Sequence, residues 1–260
     1  MNQESRLEES ANRNPHSAFR DPQSSRLSVV VPAYNEEKYL PRTLAALKSA
    51  LVAIEDVEII VVDNDSSDTT RDIAVTYGAK VVSEHERNIG RVRNTGADAA
   101  SGRVIVFLDA DTIVAPGVFE KIIKAMADPR CVGGSVAVEY ESPRRGWVLS
   151  FMKLWVFLGR FTKMRQGALQ FCRSDVFREL GGYDATIYVG EDIDFHWRLD
   201  KLAKQRGGHT AFVEEPKVIT SSRRWDKMGL RMLFLGHPIT IFLLWRVRSV
   251  WKDWYSNAVR

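Results

Sequence analysis

Continuous apolar runs alternate with helical patterns through the first half of the chain. The stretches "LSVVVPAY" (27–34) and "VEIIVVDND" (57–65) are apolar almost throughout, which predicts strands that are buried on both faces. Between them, four leucines recur at intervals of four, three and four residues and so share one face of a helix. They are Leu40, Leu44, Leu47 and Leu51. Buried strands that alternate with helices are typical of a parallel sheet covered on both sides.

The alternation continues to about residue 112 and then loosens. The first part also predicts a helix over 66–79 with a serine or aspartate cap, a strand over 80–84, a short helix ending near 102 and a strand over 103–111. Later elements are helices over 116–128 and 147–161, strands over 131–140 and 168–174, and a helix that begins at Glu191. The fold class is therefore α/β, with a mixed, mostly parallel sheet flanked by helices in a single domain.

Composition narrows the class of protein. With 45% hydrophobic and 27% charged residues, the chain is typical of a globular protein and not of a disordered or fibrous one. Two cysteines, Cys131 and Cys172, are too few for a disulfide framework and favour a reducing, cytoplasmic setting. Residues 1–26 are polar and lack the apolar stretch of a signal peptide or membrane anchor, so we expect a disordered tail.

The basic surplus lies near the C-terminus. Residues 217–260 contain nine Lys or Arg and two Asp, a net charge of +7 against +4 for the whole chain. Within the basic, tryptophan-rich segment 226–260, the apolar run from Met232 to Trp245 is shorter than the roughly 20 residues that a membrane-spanning helix needs. This segment is predicted to form amphipathic helices that either pack on the core or make a peripheral contact at the inner face of a membrane.

Aspartates follow two of the predicted strands. The triplet D-x-D occurs three times, whereas chance supplies roughly one, so the triplet alone says little. Asp63, Asn64 and Asp65 follow the second strand, and Asp109 and Asp111 follow the fourth. Ligands of parallel sheets bind beyond the carboxyl ends of the strands, which makes both clusters candidate site residues.

Asp109 and Asp111 suit a divalent cation. They lie on either side of a small alanine, so both carboxylates can face one crevice. Hard oxygen ligands of this kind favour Mg²⁺ or Mn²⁺, which often bridge to substrate phosphates. The alternative is that both are solvated loop carboxylates or turn formers that accept backbone N–H bonds.

Glu191 and Asp192 follow Gly190 at the start of a predicted helix. One of the two carboxylates is expected to cap the helix, and a simple cap could account for both. The other carboxylate is then free to act as a general base, and the helix terminus should keep Asp192 ionised. Arg93, near another short helix, could hold phosphates or belong to a solvated basic surface.

Four ordered motifs together resemble the family-2 glycosyltransferases with the GT-A fold. The motifs are "SVVVPAYNEEKYL", "IIVVDNDSSDTT", "RNTGADAASGRVIVFLDADT" and "GGYDATIYVGEDIDFHWRL". The resemblance covers residues 27–225 and implies a nucleotide-binding half over 27–112 and an acceptor half over 113–225. It also implies a nucleoside-diphosphate sugar donor, a Mg²⁺ or Mn²⁺ ion, inversion at the anomeric carbon, and no nucleic-acid partner.

The resemblance assigns a role to each matching position on the donor side. Pro32 and Tyr34 would border the nucleoside of a UDP- or GDP-sugar, and Asp63 and Asn64 would meet its base or ribose. Arg93 receives no role in this way and stays a candidate for binding the nucleotide sugar because of its charge alone. Many relatives carry a second aspartate at the position of Asn64, whose amide oxygen can still accept an imino N–H.

The same resemblance assigns the catalytic side. Asp109 would lie near the sugar and ribose, Asp111 would bind the metal together with Asp109, and Asp192 would be the general base. Glu191 would face a hydroxyl acceptor, for which a lipid-linked or membrane-associated glycan is one candidate.

A later motif departs from the pattern of processive relatives. The stretch "SSRRW" keeps Arg224 and Trp225 as acceptor-side candidates but has Ser221 in place of the glutamine of Q-x-x-R-W. We therefore expect transfer of a single sugar rather than synthesis of a polymer. A dehydrogenase would need G-x-G-x-x-G where this chain has "PAYNEE". A non-catalytic nucleotide-sugar or glycan-binding module of the same fold remains the alternative.

Overall fold

The computed structural model of the protein describes residues 27–141 and 167–223, together with positions 244, 246, 247 and 249. The predicted tail over 1–26, the helix over 147–161 and most of segment 226–260 lie outside the described residues, as do Arg224 and Trp225.

The described residues form eight strands and six helices. The strands are β1 (Leu27–Ala33), β2 (Val57–Asp63), β3 (Lys80–Ser83), β4 (Val104–Leu108), β5 (Thr112–Val114), β6 (Cys131–Tyr140), β7 (Leu169–Arg173) and β8 (His209–Thr220). The helices are α1 (Leu40–Ala50), α2 (Thr70–Thr76), α3 (Ile89–Asp98), α4 (Val118–Met126), α5 (Ser174–Glu179) and α6 (Glu191–Gln205).

The strands form one sheet in the order β3-β2-β1-β4-β7-β6-β8-β5. Strands β3, β2, β1 and β4 are parallel, whereas β7 is antiparallel to both β4 and β6. Strand β8 runs parallel to β6 and antiparallel to β5. The α/β fold class and the change from a parallel to a mixed sheet after residue 112 are confirmed.

Two hydrophobic clusters cover the two faces of the sheet. On β1, Val29 and Val31 pack in the cluster that contains the leucines of α1, whereas Val30 packs in the other cluster with α3. A strand buried on both faces needs apolar residues at every position, which explains the continuous run in the sequence. Helix α3 lies so close to the sheet that a side chain at Gly96 would come within 2.3 Å of Val30 Cγ1.

Helix α2 begins at Thr70, four residues later than predicted. The residues before it instead hold the loop that follows β1: Asn35 N donates to Ser66 Oγ at 3.0 Å, and Glu36 N donates to Thr70 Oγ1 at 2.7 Å. The N-cap is Thr69, whose side chain makes no capping hydrogen bond, but the preceding Asp68 Oδ1 accepts from Thr70 N at 3.0 Å.

Three short or polar elements were not predicted: β5, α5 and β8. Strand β8 carries Glu214, Glu215 and Pro216, which mask its strand character, although Val213 and Val218 are buried. The predicted absence of a disulfide is confirmed, since Cys131 and Cys172 are both buried and free.

One described residue of the C-terminal segment contacts the core. Arg246 Nη2 donates to Asp184 Oδ2 at 2.8 Å, in the loop before α6. Within the described ranges, the helices are too short and too polar to cross a membrane.

Candidate active site

The carboxyl ends of the parallel strands meet at one edge of the sheet. Ala33 pairs with Asp63 and Asp63 with Ser83 in the strand register, so β1, β2 and β3 end side by side. On the other side of β1, Val30 pairs with Phe107, which places Asp109 just beyond the same edge. The two acidic clusters predicted to share a crevice therefore follow neighbouring strand ends.

The turn that carries Asp109 and Asp111 is fixed by backbone hydrogen bonds. Asp109 N donates to Ala168 O at 3.1 Å, and Thr112 N donates to Asp109 O at 3.1 Å. From helix α1, the buried hydroxyl of Thr43 donates to Ala110 O at 2.7 Å. These contacts leave both aspartate side chains available for bonds outside the turn.

Asp109 belongs to a first carboxylate–guanidinium–carboxylate group, which we call the α3 triad: Asp109, Arg93 and Glu191. Arg93 Nη2 donates to Asp109 Oδ1 at 2.9 Å, and Arg93 Nη1 donates to Glu191 Oε1 at 2.5 Å. The Arg93 side chain is only 4% exposed. Burial would lower the pKa of Arg93, but the charges of Asp109 and Glu191 raise it above its usual value, so the guanidinium stays charged.

Asp111 belongs to a second group of the same kind, which we call the β8 triad: Asp111, Arg223 and Glu36. Arg223 Nε lies 3.1 Å from Asp111 Oδ2, and Arg223 Nη2 donates a short hydrogen bond to Glu36 Oε1. The guanidinium of Arg223 also lies 4.3 Å from the centre of the Tyr39 ring. The hydroxyl of Thr220 contacts Asp111 Oδ1 at 3.4 Å.

Asp192 is half-buried in the first turn of α6, beside the α3 triad. Gly167 N donates to its Oδ2 at 2.6 Å, and Ile193 N donates to its Oδ1 at 2.9 Å. Burial and the negative charge of Glu191 raise the pKa of Asp192 to about 7, although Arg93 acts in the opposite direction. Burial and Glu191 thus oppose the expected effect of the helix terminus, which was to keep Asp192 ionised.

The capping expectation for α6 is met only in part. The N-cap is Gly190, in the left-handed conformation at φ 85°, and it has no side chain to cap the helix. Asp192 Oδ1 accepts from Ile193 N within the first turn, whereas Glu191 turns to Arg93.

A chain of buried hydrogen bonds connects the backbone of Asp192 to Gln170 and Tyr183. Tyr183 Oη donates to Gln170 Oε1 at 3.0 Å, and Gln170 Nε2 donates to the carbonyl oxygen of Asp192 at 2.9 Å. Tyr183 packs among Phe107, Phe177 and Phe195, with its ring stacked on Phe195 at 4.5 Å between centroids. The backbone at Asp192 is thus tied to the aromatic core.

The predicted nucleoside residues lie at the ends of β1 and β2. Tyr34 is 5% exposed, and the guanidinium of Arg87 lies 3.4 Å from the centre of its ring. Asp63 Oδ1 accepts from Ser66 N at 3.2 Å. The amide nitrogen of Asn64 donates to the carbonyl oxygens of Glu84 and Glu86, so only its oxygen can serve a ligand.

Pro32 lies in β1 opposite Val62, next to this edge of the sheet. Most of the sequence-predicted residues thus follow neighbouring strand ends or lie beside them. Arg93 differs from its predicted role, because its guanidinium is already held by two carboxylates inside the protein rather than presented to a phosphate.

Asp109 and Asp111 alone provide too few oxygen ligands for a divalent cation, so water and a substrate must supply the others. Among the described residues, no cluster of three or more histidine, cysteine, aspartate and glutamate side chains could hold a metal ion. Asp109 and Asp111 supply hard oxygen atoms, and Mg²⁺ commonly uses one or two carboxylates together with water and substrate phosphates. The donor set therefore fits a cation that arrives with a diphosphate.

Comparison with known proteins agrees with this geometry. Residues 28–181, more than half of the chain, match the family model described as glycosyl transferase family 2. The chain belongs to this family.

Curated relatives carry several different transferase names. Validoxylamine A glucosyltransferase of Streptomyces hygroscopicus subsp. jinggangensis is 36% identical over 109 residues, which cover 40% of this chain and 26% of that protein. Glycosyltransferase AglE of Haloferax volcanii is 27% identical over 85% of this chain and 75% of its own length. This family-2 chain thus aligns with about a quarter of the first relative and three quarters of the second.

Solved structures of low sequence identity share the fold. S. aureus TarS 1-349 in complex with UDP-GlcNAc superposes with a TM-score of 0.61 at 17% identity, over 76% of this chain and 59% of that one. The mannosyltransferase PcManGT from Pyrobaculum calidifontis, in complex with GDP-Man and Mn²⁺, gives 0.58 at 20% identity, over 77% and 58%. At these identities the likeness establishes the fold alone.

Several site residues escaped the sequence analysis. Glu36 and Arg223 lie inside motifs that were quoted, "PAYNEE" and "SSRRW", but no role was assigned to them. Tyr183 likewise lies inside a quoted motif, "GGYDATIYVGEDIDFHWRL", whereas Arg87 and Gln170 carried no local pattern that separates them from ordinary surface or core residues. The only usable signal was that glutamate and arginine are rarely buried unless they are paired.

Proposed function

We propose that the protein is a metal-dependent, inverting glycosyltransferase that moves one sugar from a nucleoside-diphosphate sugar to a hydroxyl acceptor. The observation that carries this proposal is the α3 triad. Through Arg93 it joins Asp109, at the donor end of the sheet, to Glu191, next to Asp192. A nucleotide-binding edge and a carboxylate base are thereby held within one network of fixed charges.

Asp192 is the proposed general base. In its ionised form it accepts the proton of the acceptor hydroxyl while that oxygen attacks the anomeric carbon from the face opposite the nucleotide. The bond between the anomeric carbon and the diphosphate oxygen breaks, and the nucleoside diphosphate leaves with the electron pair. A pKa near 7 makes Asp192 a stronger base than an ordinary aspartate and leaves it largely ionised at slightly alkaline pH.

Asp109 and Asp111 are proposed to bind the donor side. A Mg²⁺ or Mn²⁺ ion, when bound there, would supply positive charge to the departing diphosphate. Arg93 orients Asp109, while Tyr34, Asp63 and the oxygen of Asn64 border the nucleoside. Donors of the UDP or GDP class are supported by the ligands named for the two structures of similar fold, UDP-GlcNAc and GDP-Man.

The acceptor is proposed to approach the start of α6, near Arg246. Arg246, from that basic segment, contacts Asp184 in the loop before α6. A lipid-linked glycan at a membrane surface would suit a basic, tryptophan-rich segment beside the acceptor side. The serine at position 221 supports transfer of a single sugar per encounter.

A donor screen tests the proposal. The full chain is incubated with UDP- and GDP-sugars and either Mg²⁺ or Mn²⁺, and release of nucleotide is measured with and without added acceptor. We expect release with at least one donor, and we expect EDTA to abolish it. Binding of a nucleotide sugar without release or transfer for any donor would favour a non-catalytic binding module instead.

A further inference from the structure

Arg223 contacts two parts of the chain that lie far from it in the sequence. Its guanidinium contacts Glu36 in the loop after β1, Asp111 in the turn after β4, and the ring of Tyr39. The side chains of Arg223, Glu36 and Asp111 are 8%, 5% and 11% exposed, so these charges interact with little screening by solvent.

Glu36 depends on this arginine. One of its oxygens accepts from Arg223, and its Oε2 has no hydrogen-bond partner among the described residues. A buried carboxylate is tolerated only when a positive charge compensates it. Arg223 is therefore fixed between a buried anchor, Glu36, and the carboxylate that is proposed to bind the cation.

We propose that Arg223 is a positioning residue that acts through Asp111, serving as its counter-ion when no cation is bound and thereby setting its affinity for a divalent cation. This inference rests on the proposed function. The guanidinium repels an arriving cation, whereas the negative charge of Glu36 attracts it and draws the guanidinium away from Asp111. Removing either partner should therefore shift the affinity for the cation, and the two shifts should be opposite in sign.

Binding of Mn²⁺ to the full chain tests this without any measurement of activity. Free Mn²⁺ is followed by electron paramagnetic resonance, with and without saturating UDP or GDP. We expect Arg223→Gln to tighten binding and Glu36→Gln to weaken it, each by at least about threefold, because a unit charge at this distance is only partly screened. The double variant should return to within about twofold of the wild type, and Arg223→Lys should also stay close to it.

Matched controls come from an exposed ion pair. Glu179 and Arg206 form a salt bridge with side chains 42% and 46% exposed, and substitution of either by glutamine should leave Mn²⁺ binding unchanged. If circular dichroism shows that Arg223→Gln does not fold, the inference is tested by Mn²⁺ binding to Glu36→Gln and Glu179→Gln alone. Weaker binding is then expected only for Glu36→Gln.

The outcomes separate the inference from the function on which it rests. If both triad variants weaken binding, or neither changes it, Arg223 does not tune Asp111, and the metal-dependent function still stands. If the wild type binds no Mn²⁺ with or without UDP or GDP, metal dependence itself fails and the inference falls with it.

Discussion

The α3 triad and the β8 triad hold the two aspartates of one turn in the same way but connect them to different parts of the protein. In both, a buried arginine bridges an aspartate after β4 to a buried glutamate. Arg93 links Asp109 to the start of α6, where Asp192 lies. Arg223 instead links Asp111 to Glu36 in the loop after β1. Arg223 and Glu36 are 187 positions apart in the chain.

This difference gives the two arginines separable effects. Arg93 contributes to the pKa of Asp192, lowering it against burial and the charge of Glu191, whereas Arg223 is not among the groups that shift it most. We therefore expect the α3 triad to control the pKa of the proposed base and the β8 triad to control the affinity for the proposed cation. Variants that alter one property without the other test this division.

The largest effect is expected from removal of the proposed base, Asp192. Asp192→Asn keeps the shape of the side chain and an oxygen that can accept from Gly167 N, but it cannot take a proton. General base catalysis is typically worth 10²–10⁴-fold, so we expect kcat to fall by about 10³-fold while nucleotide affinity changes only a few fold. Steady-state kinetics and calorimetric titration with UDP or GDP check both; parallel loss of activity and binding would indicate a structural role.

The same variant should be more stable than the wild type above neutral pH. The folded-state pKa of Asp192 lies above its unfolded value, so ionisation costs the folded protein free energy as pH rises from about 4 to 7. Asp192→Asn removes that cost, by about 1–2 kcal/mol at pH 8 after allowance for partial exposure and coupling. Thermal unfolding should show a gain at pH 8 and no gain at pH 4.

The next largest effect separates the two arginines. Arg93→Gln leaves Asp109 and Glu191 without their buried cation, so we expect a loss of about 3–5 kcal/mol in stability and about 100-fold in kcat. Its pH profile should shift to higher pH because Arg93 lowers the pKa of Asp192. Arg223→Gln should leave the midpoint of the profile unchanged. Equal shifts in both variants would contradict the division between the triads.

A smaller effect is expected on kcat/KM of the wild type when the pH is varied. Because the proposed base must be ionised, kcat/KM should rise about tenfold per unit below pH 7 and level off above it. A profile that is flat between pH 5 and 7 would mean that Asp192 is already ionised in the free enzyme or is not the base. Arg206→Gln, which removes an exposed charge, should give the wild-type profile.

Local patterns in the sequence predict one part of this site and not the other. The sequence predicts strand β4 because a strand buried on both faces is apolar at every position. The end of that apolar run places Asp109 and Asp111 just after the strand. The pairing of Glu36 with Arg223 leaves no such pattern in the sequence, since it depends on where the residues after β8 lie relative to the loop after β1. The pKa of Asp192 likewise depends on burial and on the direction in which Glu191 turns.

The start of α2 shows the same limit at a local scale. Its serines and threonines look like helix caps in the sequence, but in the fold their hydroxyls hold the loop after β1. The competing partner of each hydroxyl lies more than 30 residues away, so helix signals alone could not decide between the two uses.

The smallest expected effect concerns how closely the base is held. A side chain at Gly167 would place its Cβ 2.4 Å from the Cβ of Asp192, so Gly167→Ala must displace one of them. We expect kcat to fall about tenfold, because misplacement of a catalytic group by even 1 Å can cost up to 100-fold. Mn²⁺ affinity should stay unchanged, since the β8 triad is untouched.

Gly78→Ala is the matched control for this variant. Substitution of Gly78 costs stability because its φ is +73°, a backbone conformation that alanine rarely adopts. A Cβ at Gly78 nevertheless meets no atom within 4 Å. It should therefore lose about 1 kcal/mol of stability with no change in kcat. If Gly167→Ala instead loses stability and keeps its kcat, then Asp192 tolerates displacement, and the close contact with Gly167 serves packing rather than the alignment of the base with its acceptor.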